Sequence, residues 1–233
     1  MMIQTLLISL FTWAGHSADY LPKGDCDQKV NYQYYSICYS DYHRQAKWTI
    51  HELSPESVNG KQKRTNNFRS DPQVDDPVDA NALSGSGFDR GHLVPAGDMK
   101  LNYASMSETF FMTNISPQRP SFNRGLWRVL EERVRYWVKR EGKAFVVTAP
   151  YLEQSMAQTD KDITIPDWYY KIVYIPEKDE MRAFWMPNEN LKGHSIEEYA
   201  VSVNDIEEWT GLDFFSELPD AQEERLESQV YEP

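Results

Sequence analysis

The stretch Phe88-Asp-Arg-Gly-His-Leu-Val-Pro-Ala-Gly-Asp98 sets a carboxylate, a guanidinium, a glycine and an imidazole side by side. A neutral imidazole can take a proton near pH 7, and an arginine can hold a phosphate through paired hydrogen bonds. His92 and Arg90 thus supply half of what cleavage of a phosphodiester requires. The same residues fit a surface salt bridge beside a hydrogen-bonded core histidine equally well, so this box alone does not decide.

A second stretch runs Met112-Thr-Asn-Ile-Ser-Pro-Gln118, then Ser121-Phe-Asn-Arg-Gly-Leu-Trp-Arg-Val-Leu-Glu131. The spacing predicts that Asn123 opens a long helix and that Glu131 lies two turns into it. The rise between them is roughly 12 Å and their azimuths differ by roughly 80°, so both can face one groove. Helical side chains lean towards the N-terminus, which brings Glu131 back towards Asn123. An amide oxygen is a hard, neutral ligand suited to Mg2+, which keeps several waters, and Glu131 could hold one of those waters. The commoner roles are a helix N-cap for Asn123 and a solvated charge for Glu131.

The elements that must position these residues are legible as pattern. Aromatic and β-branched runs predict strands over 34–39, 47–52, 110–114, 144–148, 168–175 and 181–185. Leu126, Trp127, Leu130, Val134, Trp137 and Val138 recur at helical spacing before Gly142. Further helices are expected from Ser195, where Glu198 completes a capping box, and through Ile206–Trp209 up to Gly211. Residues 71–87, rich in turn formers, read as a long surface loop. Clustered strands with separate helices indicate an α+β fold. Five tryptophans, Trp48, Trp127, Trp137, Trp185 and Trp209, fall inside these elements and are expected in the core.

The 233 residues, 40% hydrophobic, can bury a sizeable core, which excludes a disordered tail protein or a small disulfide scaffold. After residue 14 no apolar run approaches the roughly 18 to 20 residues of a bilayer span, so no membrane partner is expected for the mature chain. The apolar segment Met1–Ala14, followed by Gly-His-Ser-Ala18, reads as a cleaved secretory leader over 1–18, with a buried strand or helix as the alternative. Residues 19–233 then form one secreted or periplasmic domain. In such an oxidising compartment Cys26 and Cys38 would pair, worth roughly 3 kcal/mol in the chain-entropy model; in a reducing one they would be two core thiols.

Net charge is −12. Residues 188–233 hold 2 basic and 13 acidic groups, so this segment carries −11, while 61–143 hold 14 basic and 10 acidic groups, or +4. A basic middle can meet phosphates although the chain as a whole is acidic. The acidic C-terminal segment is expected on the side away from the cleft, where it could lower retention on long polyanions.

Three separated motifs resemble the DNA/RNA non-specific endonucleases of the ββα-metal type: Asp89-Arg90-Gly91-His92, Asn114-Ile-Ser-Pro-Gln118, and Asn123…Trp127…Glu131. The resemblance runs from about Tyr34 to Phe215. It implies a ββα-metal core with an antiparallel sheet flanked by helices, and hydrolysis of DNA and RNA to 5′-phosphate ends. It makes His92 the general base, Asn123 the direct ligand of Mg2+, with Mn2+ able to substitute, and Glu131 a ligand through water. Arg90 would touch the phosphate, and Asn114 would position His92 or substrate. Gln118 and Arg135 would contact substrate, and Arg64, preferred to Arg69, would support the transition state. Asp89 is expected to brace its loop. DNA and RNA would be read through backbone phosphates, and a homodimer and an inhibitor protein are expected among partners. A silent binding module, or a nuclease restricted to one nucleic acid, are the rival readings.

Overall fold

The structure, a computed structural model, describes residues 20–232; the leader expectation lies outside the described residues. In chain order the strands are β1 (Gln28–Asn31), β2 (Ser36–Ser40), β3 (Gln45–Leu53), β4 (Asp89–His92), β5 (Ile115–Gln118), β6 (Ala144–Pro150), β7 (Trp168–Ile175), β8 (Glu180–Pro187) and β9 (Ala200–Val201). The α-helices are α1 (Pro55–Asn59), α2 (Tyr103–Glu108), α3 (Pro120–Asn123), α4 (Leu126–Glu141), α5 (Val203–Thr210) and α6 (Asp220–Glu227). A seven-stranded antiparallel sheet runs β1–β2–β3–β6–β7–β8–β9, and β4 and β5 pair apart from it.

Strand alternation gives this sheet two buried faces. On β7, Tyr169 and Val173 point to the side where Leu126, Trp127, Leu130, Val134, Trp137 and Val138 of α4 pack. Tyr170, Ile172 and Tyr174 point the other way, under Val203 and Ile206 of α5 and Leu226 of α6. Each fully buried large apolar side chain contributes roughly 1.5–3 kcal/mol, so these two cores hold helices that would be marginal alone. Of the acidic C-terminal segment, α5 and α6 therefore lie across the sheet from α4, whereas Leu191, Ile196 and Tyr231 pack on the α4 side and Glu197 pairs with Arg133 of α4. On its own side α6 is anchored by Leu226, which is fully buried.

β3 and β6 are hydrogen-bonded neighbours, from Thr49↔Thr148 to Leu53↔Ala144, yet residues 54–143 lie between them in the chain. That connection carries α1, β4, α2, β5, α3 and α4.

Several elements differ from the sequence pattern. Residues 110–114 are not a strand: α2 ends just before them, and Met112–Asn114 form a 3-10 turn leading into β5. β4 was not visible as a strand because Asp-Arg-Gly-His carries no β-branched or aromatic residue. The long helix does not begin at Asn123. That residue ends α3, and Gly125 separates it from α4 at φ −98°, ψ −123°. A side chain at 125 would place its Cβ 2.1 Å from the Ser121 carbonyl oxygen, so only glycine allows the break. The Ser195–Glu198 capping box forms, over a short 3-10 turn rather than an α-helix. Residues 71–87 hold no helix or strand but are pinned by buried Asp71, Val74, Val78, Ala82 and Leu83. Trp48, Trp127 and Trp137 are core residues, whereas Trp209 is 42% exposed. Cys26 and Cys38 are joined in a disulfide, with Cα atoms 5.5 Å apart. Among the described residues no helix is long and apolar enough to cross a membrane.

Candidate active site

The β4–β5 pair is the floor of the site, with Gly91 opposite Ser116 and His92 opposite Ile115. A Cβ on Gly91 would sit 2.2 Å from Gln118 Cδ, so glycine lets the Gln118 side chain pass beneath the strand. Gln118 is fully buried, and neither end of its amide has a partner. This corrects the expectation that it contacts substrate: it fills the space that Gly91 vacates.

Asn114 is also fully buried, and its side chain is spent on backbone. Its Oδ1 accepts from Val94 N at 2.9 Å, and its Nδ2 donates to the carbonyls of Val94 at 3.0 Å and Thr109 at 2.9 Å. It clamps the chain directly after His92.

His92 is 8% exposed, between the rings of Phe68 and Phe110 at 5.5 and 4.9 Å. Its Nε2 has no hydrogen-bond partner, so the ring's bond to the Arg90 backbone is made from Nδ1. Burial, reinforced by the positive charges of Arg64 and Arg90, pushes the imidazole down to about 3. The ring is thus neutral, with an Nε2 lone pair that no protein group takes up. The two arginines are held by the same aromatic wall. Arg64 lies 4.8 Å from the Phe110 centroid with its Nε bonded to Asn66, and Arg90 lies 3.8 Å over Phe68 with Nη1 on the Ala80 carbonyl. Arg69 instead donates to the Ser107 and Asn67 carbonyls and covers Phe111. Of the two upstream arginines, Arg64 is the one whose charge reaches both His92 and Glu131.

Asn123 sits at the end of α3, where its Nδ2 donates to Asp89 Oδ2 at 2.9 Å. Asp89 also accepts two bonds from the Arg124 guanidinium, which together hold its carboxyl below the usual range despite partial burial. With the nitrogen fixed on Asp89, the amide oxygen of Asn123 is the end directed elsewhere. Asp89 does brace the chain, and it braces Asn123 in particular.

Glu131, one helix on, is enclosed. Burial pushes its carboxyl up, against the opposing charges of Lys171 and Arg135, and the same burial pushes Lys171 down. Arg135 Nη1 lies 3.9 Å from Glu131 Oε2 and 2.7 Å from Asp98 Oδ1, while Asp98 Oδ2 meets His51 Nε2 at 3.2 Å. The Arg135 guanidinium is therefore held by Asp98, with the Glu131 carboxylate nearby. Asp98, His51 and Lys171 escaped the sequence reading. The available signals were a lone carboxylate in the apolar run after His92, and polar His51 and Lys171 on strands whose neighbours are apolar.

Asn123 and Glu131 offer oxygen atoms only, the donor type a small divalent cation prefers. Among the described residues no group of three or more His, Cys, Asp or Glu side chains could hold a metal, so an ion here would keep most of its waters. An amide oxygen turned from Asp89 on α3 and a largely enclosed carboxylate on α4 are donors of the type such a site needs.

Residues 16–221 match the model of the DNA/RNA non-specific endonuclease family. The chain is 31% identical over 204 residues to Nuclease C1 of Cunninghamella echinulata var. echinulata, covering 79% of this chain and 81% of that protein. It is 32% identical over 205 residues to the mitochondrial nuclease EXOG of Xenopus laevis, covering 79% of this chain and 57% of that one. A solved structure of an EndoG/EndoGI complex, described as showing the mechanism of EndoG inhibition, matches at TM-score 0.79 and 26% identity, over 85% of this chain and 89% of that one. The antiparallel sheet with flanking helices is the ββα-metal nuclease arrangement.

Proposed function

The chain belongs to the DNA/RNA non-specific endonuclease family, and from that premise we propose that it is a divalent-metal-dependent hydrolase cutting DNA and RNA to 5′-phosphate ends, with His92 as general base. The observation that carries the reading is the unpartnered Nε2 of a neutral His92 within reach of the charges of Arg64 and Arg90. Nε2 takes a proton from the attacking water, and the Arg90 backbone bond to Nδ1 steadies the imidazolium that forms. A phosphate entering between Arg64 and Arg90 offsets their charges and makes the ring more basic when it is needed. The same guanidinium groups balance charge gathering on the phosphoryl oxygens. Asn123 directly, and Glu131 through water, would hold Mg2+ or Mn2+. Bound there, such an ion would supply charge stabilisation at the phosphoryl and leaving oxygens. No recognition helix is needed, because backbone contacts carry no sequence information.

The Cys26–Cys38 disulfide supports an oxidising compartment, in keeping with a secreted or periplasmic protein. An inhibitor protein is a further expected partner, by likeness to the EndoG complex.

The test is incubation with supercoiled plasmid and with a structured RNA, in Mg2+ and in EDTA, beside His92→Ala. Metal-dependent loss of both substrates with wild type alone is expected. Cleavage retained in a folded His92→Ala protein removes His92 as the base. Binding without cleavage by wild type would replace the enzyme with a silent module.

A further inference from the structure

Phe110 packs its ring on His92, and the next residue, Phe111, turns its ring into a separate cavity of about 450 Å³. Phe110 and Phe111 are consecutive, so one short stretch of chain borders both the His92 pocket and this cavity. Its walls are planar groups. Tyr32 stacks on Phe111 at 25° and 5.6 Å, and the Arg69 guanidinium lies 3.8 Å over the same ring. At the mouth, Tyr103 at the start of α2 is 63% exposed.

The cavity also contains an unmet hydrogen-bonding demand. Glu108 accepts backbone N–H bonds from Gln33 and Tyr34, yet its Oε2 is buried without a partner. A buried acceptor of this kind calls for a donor. A phosphate has none to give and would be repelled. A nucleobase edge carries N–H groups on a flat ring that stacks on Tyr or Arg. Burial pushes the Glu108 carboxyl up to about 7, which eases the approach of a polyanion near neutrality. Bases in a duplex have their edges paired, which leaves an unpaired base as the occupant that fits.

We infer that this cavity is a nucleobase subsite, in which an unpaired base flanking the scissile phosphate stacks on Tyr103 and donates to Glu108 while Arg69 faces the adjoining backbone. It rests on the nuclease reading above for its substrate, and it adds a reason for single strands to be gripped more tightly.

The test is a set of single-stranded DNA dodecamers, each with one base removed, titrated in EDTA by fluorescence anisotropy against wild type, Tyr103→Ala, Tyr103→Phe and Glu108→Gln. Exposure of Tyr103 makes its truncation safe for the fold. In wild type, loss of the base at one or two adjacent positions should weaken binding about 5- to 150-fold, the range for one base–aromatic stack. That penalty should vanish in Tyr103→Ala, return in Tyr103→Phe and shrink in Glu108→Gln. Equal penalties in wild type and Tyr103→Ala, or no position that matters, overturn the subsite. Cleavage of bis(p-nitrophenyl) phosphate, which carries no base, is followed in parallel and should be unchanged in Tyr103→Ala. Its absence in wild type would sink the nuclease reading while leaving the binding result to judge the subsite.

Discussion

Replacing Asp89 by alanine should separate metal binding from stability. Asp89 accepts Asn123 Nδ2 at 2.9 Å and Arg124 Nε at 2.8 Å. The Arg124 side chain is 71% exposed, so solvent screens the ion pair and it contributes little to stability. For a domain of this size that loss lowers Tm by only a few degrees. The bond to Asn123 matters differently. It fixes which end of the amide faces the site, and by drawing on the N–H it makes the oxygen a better ligand. Loss of such an outer partner typically costs about 10- to 100-fold in metal affinity or activity. The assay is initial plasmid nicking rate against Mg2+ concentration, with thermal unfolding of the same preparations. Half-maximal Mg2+ should rise at least about tenfold in Asp89→Ala, and less in Asp89→Asn, which keeps an acceptor oxygen. A wild-type Mg2+ response in Asp89→Ala would refute Asn123 as an oriented ligand.

Other positions give sharp expectations. Gly91→Ala must displace Gln118, whose Cδ would lie 2.2 Å from the new Cβ, and should cost about 1–3 kcal/mol by chemical denaturation together with activity. Glu227 is buried, with neighbouring carboxylates adding to the burial that raises it to about 9. Between about pH 4.5 and 9 the folded chain holds a proton there that the unfolded chain has lost, so stability falls as pH rises through that window. Glu227→Gln should flatten the slope, gaining at most about 3 kcal/mol from pH 6 to 8; an unchanged slope from pH-dependent melting would contradict the assignment. Truncation after Pro219 removes buried Leu226 and should lower Tm. Four of the five carboxylates removed, Asp220, Glu223, Glu224 and Glu227, sit on α6, across the sheet from α4 and beyond a Debye length of about 8 Å, so the salt dependence of nucleic-acid affinity should hardly change, against the expectation of weakened retention. A changed salt slope would restore that expectation.

Long periodic segments were readable from sequence. The apolar stripe of α4 and the aromatic runs of β6, β7 and β8 repeat their pattern over enough residues to outweigh local exceptions. His92, Arg90, Asn123 and Glu131 were visible because their chemistry is distinctive and clustered in sequence. Short polar elements were not. β4 depends on pairing with β5, and the α3–α4 break depends on one steric contact at Gly125. Gln118 was placed on substrate, and Asn114 on His92 or substrate, because residue type does not reveal whether a polar group is enclosed by the protein. The Asp98–His51 contact joins residues distant in the chain, which no local pattern records.

Every residue from Arg64 to Arg135 discussed at the site hangs between two adjacent rungs of one sheet, β3 and β6. The rungs pair with each other whatever is threaded between them, and lengthening a closed loop costs only about 0.6 kcal/mol per doubling. The chemistry therefore travels as a cassette whose outside dependencies include His51 on β3, which meets Asp98 at 3.2 Å, and Lys171 on β7, which reaches Trp127 at 4.9 Å. A recombined hybrid that swaps residues 54–143 between relatives should inherit the donor's cutting behaviour while keeping the recipient's sheet, provided a histidine waits at position 51 and a lysine at 171.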